Sequence, residues 1–285
     1  MNFAFSEEQE ELRGIVKAFL NDKSDEATVR ELMDTESGYD TAVWTQMAEQ
    51  MGLQALVIPE EFGGQGFGFV ELVVVLEEMG RRLLCAPYFS TVVLGGMTLI
   101  HSGDDAAKAE YLPGIADGST IATLAYTEPN GRWDAEAVTM TATGSGDSWT
   151  LDGEKLYVLD GHTANLIITA AKTPAGISLF AVDGDAPGLT RTALSTMDQT
   201  RKQARLEYSG VPAKLIGTDG AGWDVLSTVL DLAAVALAAE QVGGGQEVLE
   251  MAVQYAKDRV QFGRPIGSFQ AIKHKCADML LEVES

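Results

Sequence analysis

Residues that form covalent or metal cross-links are scarce in this sequence. Among its 285 residues there are two cysteines, Cys85 and Cys276, and three histidines. Neither cysteine belongs to a Cys-x-x-Cys or mixed Cys/His pattern, so the spacing excludes a disulfide framework and gives no metal-binding motif. We therefore expect no metal ion, two reduced thiols and a cytoplasmic location.

Basic residues are also few. Twenty Lys and Arg stand against 42 Asp and Glu, which leaves a formal net charge of −22. A surface this acidic should repel nucleic acid and anionic lipid. Residues 1–8 lack the basic and apolar regions of a signal peptide. The most apolar segment, residues 225–239, carries Asp231 and is shorter than a membrane-spanning helix. We expect neither nucleic acid nor a membrane as a partner.

The hydrophobic spacing changes twice, from helical to alternating near Ser119 and back to helical near Trp223. Ser6 and Gln9 form a predicted capping box at the first helix. We therefore predict an α+β multidomain protein. It has an N-terminal all-α domain (1–118), a middle β-barrel or sandwich domain (119–222) and a partial C-terminal helical bundle (223–285).

Individual elements follow from the same spacing. After the first helix, helices are predicted near residues 24–33, 42–51, 70–79, 91–100, 106–116 and 223–259, and from residue 268 onward. Strands are predicted at residues 138–143, 149–155, 166–169, 177–182 and 204–208. The Asp152-Gly153 pair indicates a hairpin turn. The Gly243-Gly-Gly245 run lacks the Lys-Ser/Thr of a P-loop, so we predict that it permits close packing between helices.

The segment from Arg259 to Gln270 combines groups suited to a large anionic cofactor. Arg259 has a planar guanidinium that can bind a pyrophosphate, Phe262 offers an aromatic face and Gln270 an amide. Pro265 and Gly267 interrupt the helical pattern so that these groups can project. The alternative interpretation is a plain helix–loop–helix corner in which Arg259 forms a surface ion pair.

Two further segments belong to the predicted β domain. Tyr126-Thr-Glu-Pro129 lies at its entry, and residues 153–161 (Gly-Glu-Lys-Leu-Tyr-Val-Leu-Asp-Gly) form part of a predicted strand. Taken alone, the first could be an X-Pro turn and the second an ordinary core strand.

At this spacing, and in a helical–β–helical order, the three segments resemble those of the acyl-CoA dehydrogenases. The resemblance implies an FAD cofactor, an acyl-CoA substrate and α,β-desaturation of the thioester with hydride transfer to the flavin. It implies that Tyr126, Thr127 and Tyr157 bind the flavin from the β domain. It also implies a second group that reaches the FAD of a neighbouring subunit, made of Arg259, Phe262 and Gln270.

The sequence departs from the family pattern at several of these positions. Where the family continues Gly-x-Gly-Ser-Asp, this chain has Asn130-Gly-Arg-Trp-Asp134, so Trp133 replaces a serine that contacts flavin and thioester phosphates. Leu159 replaces a threonine that hydrogen-bonds the flavin, and Asp160 replaces an amide. We expect a reshaped site, or one ligand that binds poorly.

The catalytic base is unknown from the sequence. The usual family Glu lies beyond Ser285, and a minority position, in a Leu-x-x-Glu-Arg run, here reads Leu230-Asp-Leu-Ala-Ala234. Three other glutamates on the same predicted helix are not assigned as the base: Glu240, Glu247 and Glu250. The last helix keeps apolar residues through Val283 and has no glycine cap, which predicts a truncated chain or cleavage product, with a natural frayed end as the alternative.

The resemblance also implies partners. These are electron-transfer flavoprotein as the acceptor, a homodimer or tetramer, and a role in fatty acid or lipid degradation. Two other interpretations stay open, namely a non-catalytic partner subunit of a heteromeric acyl-CoA dehydrogenase and an inactive truncated fragment. One FAD per chain favours the enzyme, whereas half occupancy beside an intact homologue favours the partner subunit.

Overall fold

The computed structural model describes residues 4–146 and 148–285. In chain order its helices are α1 (Glu7–Lys23), α2 (Glu26–Met33), α3 (Thr41–Glu49), α4 (Phe69–Arg81), α5 (Met97–His101), α6 (Asp105–Ala116), α7 (Gly222–Asp258) and α8 (Gln270–Glu284). Its strands are β1 (Ala122–Ala125), β2 (Thr141–Ser145), β3 (Ser148–Leu159), β4 (Leu166–Thr173), β5 (Gly176–Asp183), β6 (Leu189–Ala193), β7 (Gln203–Ile216), β8 (Val260–Gln261) and β9 (Arg264–Pro265).

These elements divide into two compact units. The helical unit comprises residues up to 25, residues 73–84 and residues 235–285, and the barrel unit comprises residues 26–72 and 85–234. The predicted capping box starts α1. Ser6 Oγ accepts from the Gln9 N–H at 3.2 Å, and the Gln9 side chain accepts from the Ser6 N–H at 2.9 Å.

In the helical unit, α4 and α7 approach each other through glycines. A Cβ on Gly243 would lie 1.9 Å from the Glu77 carbonyl oxygen, and a Cβ on Gly80 would lie 2.0 Å from that of Glu240. Atoms cannot approach this closely, so both positions require the absence of a side chain. The predicted packing role of the Gly243–Gly245 run is confirmed at its first residue.

Charged side chains join the same helices. Arg13 of α1 contacts Glu77 at 2.5 Å and Glu78 at 3.3 Å. Arg81, whose side chain is only 8% exposed, contacts Glu247 at 2.9 Å and Glu250 at 2.6 Å. The network therefore links α1, α4 and the second half of α7, and few charges in it face open solvent.

In the barrel unit, α2, α3, α5 and α6 precede the strands, which begin at Ala122, and the first part of α7 follows them. Helices α2, α3, α5 and α6 match predicted ones, but the predicted helix at residues 91–100 is π-helical over Phe89–Gly96 before it becomes α5. Every residue of the π-helical segment is buried. It contacts β1, where a Cβ on Gly95 would lie 2.6 Å from that of Ala122.

The strands form a closed barrel, one of the two predicted architectures. Antiparallel pairs β2–β3, β3–β7, β7–β5 and β5–β4 make most of the ring, and the Thr141–Lys172 pair between β2 and β4 closes it. Two strands that the sequence analysis missed attach to this ring: β1 runs parallel to β4, and β6 pairs with β7. Inside, Trp149 packs against Phe180 with ring centroids 5.4 Å apart.

The predicted hairpin turn at Asp152-Gly153 is wrong. Both residues lie inside β3, at a register shift in its pairing with β7, and the hairpin lies between β2 and β3 instead. Gly153 has a φ of 144°, and the Asp152 carboxylate accepts the Gly210 N–H at 2.8 Å. A glycine that permits a β-bulge looks the same in the sequence as one that permits a tight turn.

Helix α7 is longer than the apolar segment considered in the sequence. Among the residues that the structure describes, it is the one helix long and apolar enough to cross a membrane by length and composition, with a mean hydropathy of 1.6 in its most apolar window. The inference that this region is too short to span is therefore wrong. A core helix meets the same criterion, and Gly243 of α7 packs against α4. The absence of a membrane partner stays a prediction.

Candidate functional site

The corner between α7 and α8 presents an aromatic ring on a strained turn. Strands β8 and β9 form a hairpin whose two turn residues, Phe262 and Gly263, have φ values of 53° and 79°. Such values suit glycine but are unusual for a bulky residue, and they concentrate at functional positions. The Phe262 side chain is 93% exposed, and its ring meets the Phe269 ring edge-on, with the ring centroids 6.2 Å apart. The fold therefore displays this ring to solvent.

Arg259 and Gln270 lie on the two sides of this hairpin. Arg259 directly follows α7, and its backbone is fixed by a 2.8 Å bond from the Ile266 N–H to its carbonyl. Its guanidinium makes no ion pair with any other residue that the structure describes, although the chain is strongly acidic. The ion-pair alternative for Arg259 is thus not observed. Gln270 is exposed at the start of α8.

Arg264, the other arginine of the corner, is engaged differently. Its guanidinium stacks over the Phe269 ring at 4.2 Å from the centroid, so it supports the corner. Arg259, Phe262 and Gln270 remain exposed at the corner. Their guanidinium, ring and amide can together bind a pyrophosphate and an adjacent heteroaromatic group. These residues fit the FAD that the resemblance implies.

The predicted flavin residues of the barrel unit come together through backbone hydrogen bonds. The Leu156 N–H donates to the Thr127 carbonyl at 2.9 Å, which joins the turn after β1 to strand β3. Thr127 is buried, and Tyr126 is half-buried beneath Trp133, with the two rings 5.8 Å apart and edge-on. Trp133 is itself exposed. The residue at the position of the family serine therefore packs on a predicted flavin residue, and the reshaped site stays a prediction.

Tyr157 sits on a β-bulge. The pairing of β3 with β7 shifts register between Lys155 and Val158, and Tyr157 has a φ of 56°. As a result Lys155 and Val158 both point inward, while the Tyr157 ring is 56% exposed. A left-handed backbone is unusual at an aromatic residue, which makes Tyr157 a candidate functional residue.

Behind this face lies a buried ion pair that the sequence analysis missed. Lys155 is fully buried and Glu128 is 3% exposed, and Lys155 Nζ donates to a Glu128 carboxylate oxygen at 2.8 Å. Burial acts to raise the pKa of Glu128, but the Lys155 charge and hydrogen bonds from Lys155, Thr139 and Met140 outweigh it and hold the pKa below its ordinary value. Both residues stand in the quoted segments, Thr-Glu-Pro and Gly-Glu-Lys.

Asp160, which replaces the family amide, is buried and has a φ of 51°. The Ser90 hydroxyl lies 2.6 Å from Asp160 Oδ2 and 3.1 Å from the Pro87 carbonyl. The shorter contact is a hydrogen bond that the Ser90 hydroxyl donates to the Asp160 carboxylate oxygen. Burial raises the pKa of Asp160 above its ordinary value, although the Ser90 hydrogen bond and the charges of Arg201 and His162 oppose the shift.

We predict that Asp160→Asn stabilises the protein at neutral pH. Because the native state holds the Asp160 carboxyl proton more tightly than the unfolded chain, the free energy of unfolding falls as pH rises above the ordinary Asp pKa. Asparagine does not ionise, so the substitution removes this pH dependence. We expect the free energy of unfolding to rise by about 1–2 kcal/mol at pH 8 and to be unchanged near pH 4. Denaturant midpoints at both pH values measure it. The exposed Asp117→Asn is the matched control, and an equal gain in both variants would contradict the assignment.

Two glutamates of α7, Glu247 and Glu250, bind arginine side chains. Glu247 and Glu250 bind Arg81, and Glu247 also contacts Arg82 at 3.2 Å. The hydrogen bond from Arg81 lowers the pKa of Glu250. At the alternative base position, Ala233 is buried and has no ionisable group. The structure therefore agrees with leaving Glu247 and Glu250 unassigned as the base.

Comparison with known proteins gives matches to three family models. The N-terminal domain model of acyl-CoA dehydrogenases matches residues 6–119, the middle domain model residues 123–211 and the C-terminal domain model residues 220–285. Together they account for most of the chain.

Individual relatives agree. Acyl-CoA dehydrogenase IpdE2 of Mycolicibacterium smegmatis is 36% identical over 98% of this chain and 74% of its own length. The butyryl-CoA dehydrogenase structure from Megasphaera elsdenii matches 100% of this chain and 78% of its own, with a TM-score of 0.92 and 26% identity. In the ChsE4–ChsE5 complex from Mycobacterium tuberculosis, a chain matches at a TM-score of 0.89 and 30% identity, covering 100% of this chain and 77% of its own.

Members of this family are FAD-dependent oxidoreductases. The exposed Arg259–Gln270 corner and the Tyr157 ring supply groups of the kind that bind a flavin. This chain therefore belongs to the acyl-CoA dehydrogenase family.

Proposed function

We propose that this chain is a flavin-binding subunit of an acyl-CoA dehydrogenase oligomer that desaturates an acyl-CoA thioester between its α and β carbons. The observation that carries the proposal is the Arg259–Gln270 corner, which presents an exposed Phe262 and an exposed Arg259 with no ion pair among the residues that the structure describes. In the proposed arrangement this corner completes the FAD site of a neighbouring subunit. Tyr126, Thr127 and Tyr157 contribute the other part of each site.

The chain's own residues bind and orient the reactants. When bound, the flavin supplies the hydride acceptor. Thr127 and its backbone are proposed to hold the pyrimidine end of the flavin, where N–H donors stabilise developing negative charge. The Tyr157 ring is proposed to pack against the flavin and to exclude water from it. Removal of the α-proton needs a carboxylate within hydrogen-bond reach, and we propose that it comes from a position other than Ala233.

The rest of the proposal concerns the setting of the reaction. We propose electron-transfer flavoprotein as the electron acceptor, a role in fatty acid or lipid degradation, and a cytoplasmic location.

The test is the visible spectrum of the purified protein with a panel of acyl-CoA thioesters. We expect one FAD per chain, and bleaching of the flavin band by at least one straight-chain, branched or ring-bearing thioester. Flavin that is bound but bleached by none of them would contradict the catalytic part of the proposal and leave the binding part standing.

A second candidate is a partner subunit in a heteromer. It is favoured by the departures in the Asn130–Trp133 loop and at Leu159 and Ala234, and by the likeness to a chain of the ChsE4–ChsE5 complex. Flavin stoichiometry separates the two candidates. One FAD per chain in the protein purified alone supports the first, whereas FAD that appears only after co-purification with a homologue, at one per two chains, supports the second.

A further inference from the structure

The buried pair of Glu128 and Lys155 lies directly behind the proposed flavin face. Besides its bond to Glu128, Lys155 Nζ donates to the Tyr126 carbonyl at 3.3 Å. The ammonium thus bridges the residue before Thr127 and the residue after it. A fully buried ammonium has few ways to move without losing these partners, so it fixes the turn from behind.

Lys155 also begins the bulge that displays Tyr157. The next residue, Leu156, donates its N–H to the Thr127 carbonyl, and Tyr157 follows with its left-handed backbone. The turn and the bulge are therefore joined twice within two residues, once through the Lys155 side chain and once through the Leu156 backbone. A change in the position of Lys155 would move Thr127 and Tyr157 together.

Glu128 fixes the loop that follows it through hydrogen bonds. Its carboxylate accepts from the Thr139 N–H at 2.9 Å, the Thr139 hydroxyl at 2.5 Å and the Met140 N–H at 3.0 Å. Its own carbonyl accepts the Gly131 N–H at 2.9 Å. These bonds hold residue 128 against residues 139 and 140, which closes the base of the loop that carries Trp133.

Stability alone does not account for such a pair. Removing two charges from water is costly, and apolar residues of similar volume often replace a buried ion pair with no loss of stability. What the pair provides is a fixed local geometry, because each charged group is held by a specific set of hydrogen-bond partners. Those partners are the turn, the bulge and the loop that form the proposed flavin face.

We propose that Glu128 and Lys155 are positioning residues that set the placement of Thr127, Tyr157 and the Trp133 loop against the flavin, an inference that rests on the proposed function. Neither residue touches the cofactor in this proposal. They act through the backbone of the residues that do.

The test is the double variant Glu128→Gln/Lys155→Met, studied as purified FAD-bound protein. The introduced glutamine can keep the Met140 and Thr139 contacts, while the introduced methionine fills the volume of the lysine but loses the link to the Tyr126 carbonyl. We expect the ratio of affinities for oxidised and reduced flavin to change at least tenfold, a shift of about 30 mV in midpoint potential for two electrons. We also expect a changed visible band shape. The matched control, Lys214→Met/Glu110→Gln, replaces the more exposed Lys–Glu pair that joins β7 to α6. It should change neither the midpoint potential nor the band shape.

Outcomes separate the possible failures. Unchanged potential and band shape in the double variant would overturn the positioning role, provided that Tyr157→Ala alters the band shape. If Tyr157→Ala also leaves the flavin spectrum unchanged, the proposed flavin face itself is wrong. Should the double variant not fold, Glu128→Gln alone gives the test: faster hydrogen exchange at the Leu156 amide together with a shifted potential supports the role, and no change in either contradicts it.

Discussion

Replacing Gly243 with valine is expected to destabilise the protein by about 4 kcal/mol or more. The added Cβ would lie 1.9 Å from the Glu77 carbonyl oxygen and 2.7 Å from its carbon. Both are backbone atoms of α4, so no rotamer change relieves the clash and the helices must separate. Separation also removes the opposite contact, of Gly80 with Glu240. The midpoint of denaturant unfolding measures the loss.

The neighbouring glycine gives the control. A Cβ on Gly244 would meet only the Gly80 carbonyl oxygen, at 3.5 Å, which is ordinary van der Waals contact. Alanine is preferred over glycine in a helix by about 1 kcal/mol, so Gly244→Ala should leave stability unchanged or raise it. If Gly243→Val and Gly244→Ala had similar effects, the close packing of α4 on α7 would be contradicted.

The second large effect is expected for Arg81→Ala. The arginine side chain is 8% exposed and contacts Glu247 and Glu250, with Glu78 at 3.7 Å and only 4% exposed. Its removal takes the arginine partner from Glu250 and leaves Glu78 and Glu247 with only their contacts to Arg13 and Arg82. Breaking a buried ion pair by removing one partner costs about 3–5 kcal/mol. We expect a loss of about 3 kcal/mol in the free energy of unfolding at pH 7.

The loss should shrink as pH falls. The Arg81 hydrogen bond lowers the pKa of Glu250 in the native state, so this carboxylate favours folding above its ordinary pKa and the contribution is lost as pH falls through the lowered value. Arg30→Ala is the matched control, since Arg30 forms only an exposed pair with Glu26 at 2.8 Å, worth about 0.5 kcal/mol. Equal losses in the two variants would contradict the role of Arg81.

Much of the site could be predicted because its residues are neighbours in the chain. The Arg259–Gln270 segment forms one hairpin and the start of one helix, so its spacing alone indicates that these groups are displayed together. What the spacing does not give is that Arg259 lacks an ion pair or that Phe262 adopts a left-handed backbone. Both depend on the surrounding fold, because local sequence preferences favour neither.

The Glu128–Lys155 pair shows why the remainder was missed. Each charge stands in a segment that the sequence analysis selected, yet a charged residue next to a turn or in a strand is usually exposed. Their burial follows from barrel closure and from the bulge after Lys155, which spacing does not indicate. The same bulge chemistry led to the wrong hairpin at Asp152-Gly153. The proposed domain boundaries after residues 118 and 222 stay predictions.

The most direct test of this account is the FAD affinity of Arg259→Ala. We predict that the unaltered protein is purified with FAD and that the variant binds FAD at least tenfold more weakly, since a guanidinium that grips a pyrophosphate makes charge-assisted, bidentate bonds worth about 1.5–3 kcal/mol each. The control is Lys275→Ala, which removes one positive charge from an exposed position on α8. Unchanged FAD affinity in Arg259→Ala, or an unaltered protein that binds no FAD as an assembled oligomer, would contradict the central claim.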